Sequence, residues 1–118
     1  LVVEDNLDAA ETLREMMLSG GHEVEVAYDG REGVEKARSF RPDVVLCDIG
    51  LPVLDGYAVA RTIRSDPQLA PTYLVALSGY ATPEDRRRAL AAGFNRHLGK
   101  PAAAELIQEI VAETPVSG

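Results

Sequence analysis

The feature that most constrains this chain is an alternation. Short β-rich apolar runs are separated by longer segments whose apolar residues recur at helical spacing. Parallel strands need a long crossover, and a helix supplies it, so the alternation predicts βα units around a parallel sheet. Five such units fit into 118 residues, 46% of them hydrophobic, which is the size and composition of one domain with its own core.

Leu1-Val2-Val3 opens the first strand, and the first helix is expected after Asn6 or Asp8, with Leu13 and Met17 inward and an end near Ser19-Gly20-Gly21. Met16 and Met17 read as core rather than as a ligand pair. The second strand, Val24 to Ala27, alternates with Glu23 and Glu25, as an edge strand with a wetter face would. Asp29 suits an N-cap, Val34 and Ala37 form an inward stripe, and Arg41-Pro42 stops that helix. Val44 to Cys47 is the most continuously apolar run and suits a central strand ending at Asp48. A third helix follows Asp55-Gly56, carries Val59 and Ile63, and stops around Ser65-Asp66-Pro67; Tyr73 to Leu77 is strand four. Thr82-Pro83-Glu84-Asp85 combines a capping hydroxyl, a proline at the first helical position and acids in the first turn, so helix four begins there. Strand five runs from Arg96 to Leu98, and Leu106, Ile107, Ile110 and Val111 give the last helix its apolar face. The domain is expected over residues 1–113, with Thr114-Pro115-Val116-Ser117-Gly118 as a tail or linker and both ends cut from a longer protein.

A net charge of −7 argues against direct grip on a nucleic-acid backbone and favours a cation site. The single cysteine, Cys47, excludes an internal disulfide, favours a reducing cytoplasmic compartment and reads as a small buried hydrophobe rather than a nucleophile. No apolar stretch approaches the ~20 residues that cross a bilayer, so no membrane contact is expected of this segment. His22 has no partner at metal-ligand spacing.

In an open parallel sheet, ligands bind beyond the carboxyl ends of the strands. Strand one ends in Glu4-Asp5, strand three in Asp48, strand four in Ser78 and strand five in Lys100-Pro101, so four strand ends present polar side chains to one crevice. Three crowded carboxylates stay ionised only with a cation among them, and magnesium prefers such hard oxygen ligands, with Asp5 and Asp48 as direct ones. A carboxylate can attack phosphorus to form an acyl phosphate if the developing charge is held, which Lys100 and the ion would do, while the Ser78 hydroxyl would donate to a phosphoryl oxygen. Taken singly, each residue has a bland reading: a helix cap, a turn acid, a loop hydroxyl, a solvated lysine. Together, and in order, they favour chemistry.

Leu1-Val2-Val3-Glu4-Asp5-Asn6, Asp48-Ile49-Gly50-Leu51-Pro52, Asp55-Gly56, Ala76-Leu77-Ser78-Gly79-Tyr80, Ala92-Gly93-Phe94 and Lys100-Pro101 resemble, in order and spacing, the receiver domains of two-component response regulators. The resemblance covers the whole chain. It implies a flavodoxin-like, doubly wound (βα)5 sandwich with strand order 2-1-3-4-5. It makes Asp48 the phosphoacceptor and Asp5, Asp48 and the backbone carbonyl of Gly50 the magnesium ligands, with Glu4 acting through water. It makes Lys100 the phosphate-contacting lysine, with a cis bond to Pro101, and Ser78 the switch hydroxyl. His97 stands where many receivers carry the switch aromatic. The implied partner is a histidine kinase or histidine phosphotransfer domain carrying phosphohistidine, and a phosphorylation-dependent dimer is left open. Ile49-Gly50-Leu51-Pro52, Asp85-Arg86-Arg87-Arg88 and Phe94-Asn95-Arg96-His97-Leu98 look most like receivers at the C-terminus of hybrid sensor histidine kinases; Arg86-Arg87-Arg88 is either a docking face or a solvated one.

Gly50 and Tyr80 flank the route of an attacking water and neither can orient it, so slow self-dephosphorylation is expected. An aspartate-nucleophile phosphatase would need an acid where Gly50 stands. A flavin or dinucleotide site lacks its glycine-rich loop, and a degenerate receiver would not keep Glu4, Asp5, Asp48, Ser78 and Lys100 together.

Overall fold

The structure is a computed structural model that describes residues 1–79 and 82–113. The expected tail at 114–118 and Tyr80 lie outside the described residues. Five strands, β1 (Val2–Val3), β2 (Val26–Ala27), β3 (Val44–Asp48), β4 (Tyr73–Ser78) and β5 (Arg96–Gly99), alternate with α1 (Leu7–Ser19), α2 (Gly30–Phe40), α3 (Gly56–Ser65), α4 (Pro83–Ala92) and α5 (Ala104–Glu113). The sheet is parallel in the order β2-β1-β3-β4-β5, the flavodoxin-like arrangement.

Side-chain alternation divides the core. Val3, Val45, Cys47, Leu74 and Ala76 face α2, α3 and α4, whereas Val2, Leu46, Val75, Leu77 and Leu98 face α1 and α5. Helix starts follow from side-chain acceptors on otherwise orphaned amides: Asn6 takes the Ala9 amide at 3.0 Å, Asp29 that of Glu32 at 2.8 Å, Asp55 that of Ala58 at 2.9 Å and Thr82 that of Asp85 at 3.1 Å.

Two local expectations need correction. β2 is an edge strand, as expected, but it is regular only over Val26–Ala27, and both residues are buried, because helices cover both faces of a parallel sheet. Val24 packs on the second core from outside the strand. On α5, Ile107 and Ile110 are buried and Val111 packs beside them, but Leu106 is 36% exposed, since one helix face cannot hold four such residues against a single sheet edge.

Candidate functional site

The site begins with the strand ends. β1 runs out into Glu4 and Asp5, and the Glu4 amide donates to the Ala27 carbonyl at 2.9 Å, which extends pairing to the carboxylate itself. Glu4 is 1% exposed, whereas Asp5 faces solvent. Asp48 closes β3 and is buried. Its backbone is fixed from behind by the start of α3: a Cβ on Gly56 would lie 2.6 Å from the Asp48 carbonyl oxygen, and the Gly56 amide donates to Ile49 at 2.9 Å. Only glycine permits that approach. Ser78 ends β4, buried, and its carbonyl accepts the Lys100 amide at 2.7 Å, which brings the residue after β5 alongside it. The Lys100-Pro101 bond is cis.

Of these residues, Glu4, Asp5, Asp48 and Lys100 bring their charged groups together. One carboxylate oxygen from each of Glu4, Asp5 and Asp48 lies within 4.8 Å of the others. Lys100 Nζ donates to Glu4 Oε1 at 2.5 Å and lies 3.0 Å from Asp48 Oδ1, and the Asn6 amide donates to Glu4 Oε2 at 3.3 Å. Burial, the largest influence, pushes the Glu4 carboxyl above its ordinary value and Asp48 adds to this, against the hydrogen bonds from Lys100 and Asn6. Burial pulls the Lys100 ammonium down, but Glu4 and Asp48 together outweigh it and hold its pKa above the ordinary value. The lysine thus bridges two buried carboxylates, and the exposed Asp5 adds hard oxygen donors beside them. That donor set can hold a metal ion of the oxygen-seeking kind. A Cβ on Gly50 would sit 3.9 Å from Asp48 Oδ2, so Gly50 lies against the site and leaves it open.

Other candidates fall elsewhere. His22 is exposed beside Gly20 and helps to line a cavity of about 340 Å³ at the amino ends of β1 and β3, with Met17, Phe40, Pro42 and Val111. Cys47 is fully buried and burial pushes its thiol well up, which leaves no nucleophile. Arg86 and Arg87 are exposed, while the Arg88 guanidinium stands 4.5 Å from the Tyr57 ring centroid. His97 is half-buried across from Ala76, and its Nε2 is buried without a hydrogen-bond partner among the described residues. Arg64, which no sequence motif marks, ties α3 to the turn before β5 through the Gly93 carbonyl and Asn95 Oδ1.

The family described as response regulator receiver domain matches residues 1–112. The gliding motility regulatory protein of Myxococcus xanthus is 38% identical over 96% of this chain, which spans 14% of that protein. Transcriptional regulatory protein PrrA of Mycobacterium tuberculosis is 36% identical over 95% of the chain and 48% of its own length. The chain therefore spans less than half of these relatives. Among solved structures, the receiver domain of sensor histidine kinase PA1611 from Pseudomonas aeruginosa, with a magnesium ion coordinated in its active site cleft, aligns with a TM-score of 0.88 at 35% identity, over 96% of this chain and 93% of that one. Chemotaxis protein CheY4 of Vibrio cholerae aligns at 0.89 and 28%, over 97% and 95%.

Proposed function

This chain belongs to the response regulator receiver domain family of two-component signalling, and from that premise we propose that Asp48 accepts a phosphoryl group from phosphohistidine on a histidine kinase or histidine phosphotransfer domain. The observation that carries this reading is Lys100 Nζ, held between Glu4 and Asp48 at the rim of a buried carboxylate cluster. A carboxylate oxygen of Asp48 attacks phosphorus as the P–N bond of the donor breaks. The donor ring carries a proton on its other nitrogen, so the bonding pair stays with the imidazole nitrogen and the ring leaves as neutral histidine; the product is an acyl phosphate on Asp48. Lys100 exchanges its contact with Asp48 for a phosphoryl oxygen and is retained near the site by Glu4. Asp5, Asp48 and the Gly50 carbonyl, with Glu4 through water, would hold a magnesium ion, which supplies positive charge at the phosphoryl oxygens when bound.

Ser78 donates its hydroxyl to the new phosphoryl group, and its displacement is the first movement of the switch. His97 shares that face of the sheet, with a buried nitrogen in need of a partner, and is the second. Gly50 offers no side chain to orient a hydrolytic water, which supports a long-lived phosphoryl group. The likeness to receivers of sensor histidine kinases supports a place in a hybrid kinase. A kinase core encoded ahead of Leu1 is the expected finding, and a DNA-binding domain after residue 113 would overturn it. No helix among the described residues is long and apolar enough to cross a membrane, and the domain is assigned to the cytoplasm, where such donors work. Incubation with acetyl phosphate and magnesium, read by intact mass, tests the chemistry. Wild-type chain gains one phosphoryl group and Asp48→Ala gains none; an unmodified wild type or a modified variant refutes the assignment.

A further inference from the structure

β5 carries Lys100 to the site on little packing of its own. It is an edge strand of four residues, paired only with β4, and Leu98 is its one buried side chain. Ser78 pairs with Gly99 and accepts the Lys100 amide, so the register of β5 on β4 decides where the lysine emerges. A slip of one residue would move Lys100 by about 3.3 Å and turn its side chain to the other face of the sheet. Its contacts with Glu4 and Asp48 would not survive that.

The register is fixed at the other end of the strand. The Asn95 amide donates to the Leu74 carbonyl at 2.8 Å and the Leu74 amide donates to Asn95 Oδ1 at 2.8 Å, so one residue clasps the β4 backbone at two points. Arg64, in the last turn of α3, holds the clasp. It donates from Nη2 to the same Asn95 Oδ1 at 2.6 Å, from Nε to the Gly93 carbonyl at 2.8 Å, and from Nη1 to the Ala70 and Thr72 carbonyls at 2.7 and 2.6 Å. These acceptors lie just ahead of β4 and β5, so a single guanidinium pins both strand entries at one level. Arginine suits the task, since its planar fork reaches several oxygens at once with little rotamer freedom left to lose. Gly93, at φ 116, leaves room for the stem: a Cβ there would lie 2.6 Å from Arg64 Cγ. The amino end of the same helix braces Asp48 through Gly56, so α3 holds the nucleophile at one end and the strand that carries the lysine at the other.

We propose that Arg64 is a positioning residue for phosphoryl transfer: by holding Asn95 it fixes β5 on β4, and so sets where Lys100 stands between Glu4 and Asp48. The transfer itself rests on the role of Asp48 proposed above. The placement of Lys100 is a property of the resting protein.

Uptake from acetyl phosphate in saturating magnesium, timed by intact mass, tests this. Arg64→Lys keeps the charge but loses the fork; it lowers the maximal rate about tenfold and moves the KM for acetyl phosphate less than about twofold. Asn95→Ala opens the clasp and repeats that loss, whereas Asn95→Asp keeps the acceptor oxygen and stays within about twofold of wild type. Lys100→Ala separates placement of the lysine from bulk stability, because Arg64→Lys added to it slows uptake no further. An equal loss in both backgrounds overturns the proposal, as does Asn95→Ala at the wild-type rate or Asn95→Asp as slow as Asn95→Ala. Amide hydrogen exchange reads the placement without phosphate: Arg64→Lys speeds the Lys100 amide about tenfold and leaves that of Leu46 on β3 unchanged. Unchanged exchange at Lys100 overturns the proposal whatever the rates. A wild-type chain that takes no phosphate refutes the role of Asp48 instead, and exchange at Lys100 then decides the placement. If Arg64→Lys does not fold, or Lys100→Ala is too slow to time, Asn95→Ala against Asn95→Asp carries the same decision.

Discussion

α3 and α4 are ten residues each and lie side by side on one face of the sheet, yet α3 buries Gly56, Tyr57, Val59, Ala60 and Ile63 where α4 buries two alanines. The site straddles that difference. Asp48 is braced by the start of α3, and Lys100 ties it and Glu4 together by charge, whereas Ser78 leads into the lightly held end of α4. Reacting groups need fixed geometry, and a signalling element needs two arrangements close in free energy. The molecule separates the two demands across one strand step, from β3 to β4.

The largest effect should come from removing apolar mass from the braced side. Ile63 is fully buried, and Ile63→Ala should cost about 2–5 kcal/mol. Leu90 on α4 is 48% exposed, and Leu90→Ala should stay within about 0.5 kcal/mol. Urea midpoints measure both, and similar losses would dissolve the comparison. A second test strikes where α3 meets the site. Gly56→Ala drives a methyl into backbone, 2.6 Å from the Asp48 carbonyl oxygen and 2.8 Å from Ile49 Cα, neither of which can rotate away. It should cost about 1–3 kcal/mol and slow phosphate uptake severalfold, because the shift falls on Asp48. Uptake at the wild-type rate would mean that α3 does not brace the nucleophile.

The loop into α3 offers a gain rather than a loss. Val53 is 78% exposed at φ 70, at the centre of a tight turn in which the Leu54 amide donates to the Pro52 carbonyl at 2.8 Å. A β-branched residue is strained there, and with its side chain in solvent nothing offsets the strain. Val53→Gly should therefore raise stability by up to about 1 kcal/mol, the relief of strain exceeding the entropy that glycine adds to the unfolded chain. A lowered melting temperature would show that the valine is not strained.

Much of the braced half could be read in advance. Asn6 and Asp29 announce helix starts through short-range chemistry, as Thr82 does for α4 on the other side, and polar residues ending successive apolar runs mark the crevice, since both signals are local. Strand order is not local, and it followed from the resemblance rather than from the pattern. Several features needed the fold itself. Arg64 looks like a solvated residue near a helix end, because Gly93 and Asn95, which occupy it, are 29 and 31 residues away. Glu4 reads as a metal-facing acid, yet its 1% exposure and its 2.5 Å bond to Lys100 depend on β5 arriving from across the sheet. Leu106 follows the apolar spacing of α5 but falls outside the stripe the sheet can cover.

The smallest effect concerns the charge that the braced half confines. Glu4 has a folded pKa above the 4.5 of a free glutamate, chiefly through burial. Between those two values the native state keeps a proton that the unfolded chain has released, so stability falls as pH rises through that window. Glu4→Gln removes this titration together with its coupling to Lys100, so the difference in urea midpoint between the two chains reports the Glu4–Lys100 pair. Measured in EDTA from about pH 4 to about pH 8, the wild type should lose ground to Glu4→Gln as pH rises. A wild type that gains ground would mean that Lys100 more than offsets the burial. Magnesium chloride sharpens the test, because a cation among Glu4, Asp5 and Asp48 lowers the cost of ionising all three and should flatten the difference. A difference that magnesium leaves untouched would place the strain on Glu4 outside the carboxylate cluster, and the braced half would then owe its rigidity to packing against α3 alone.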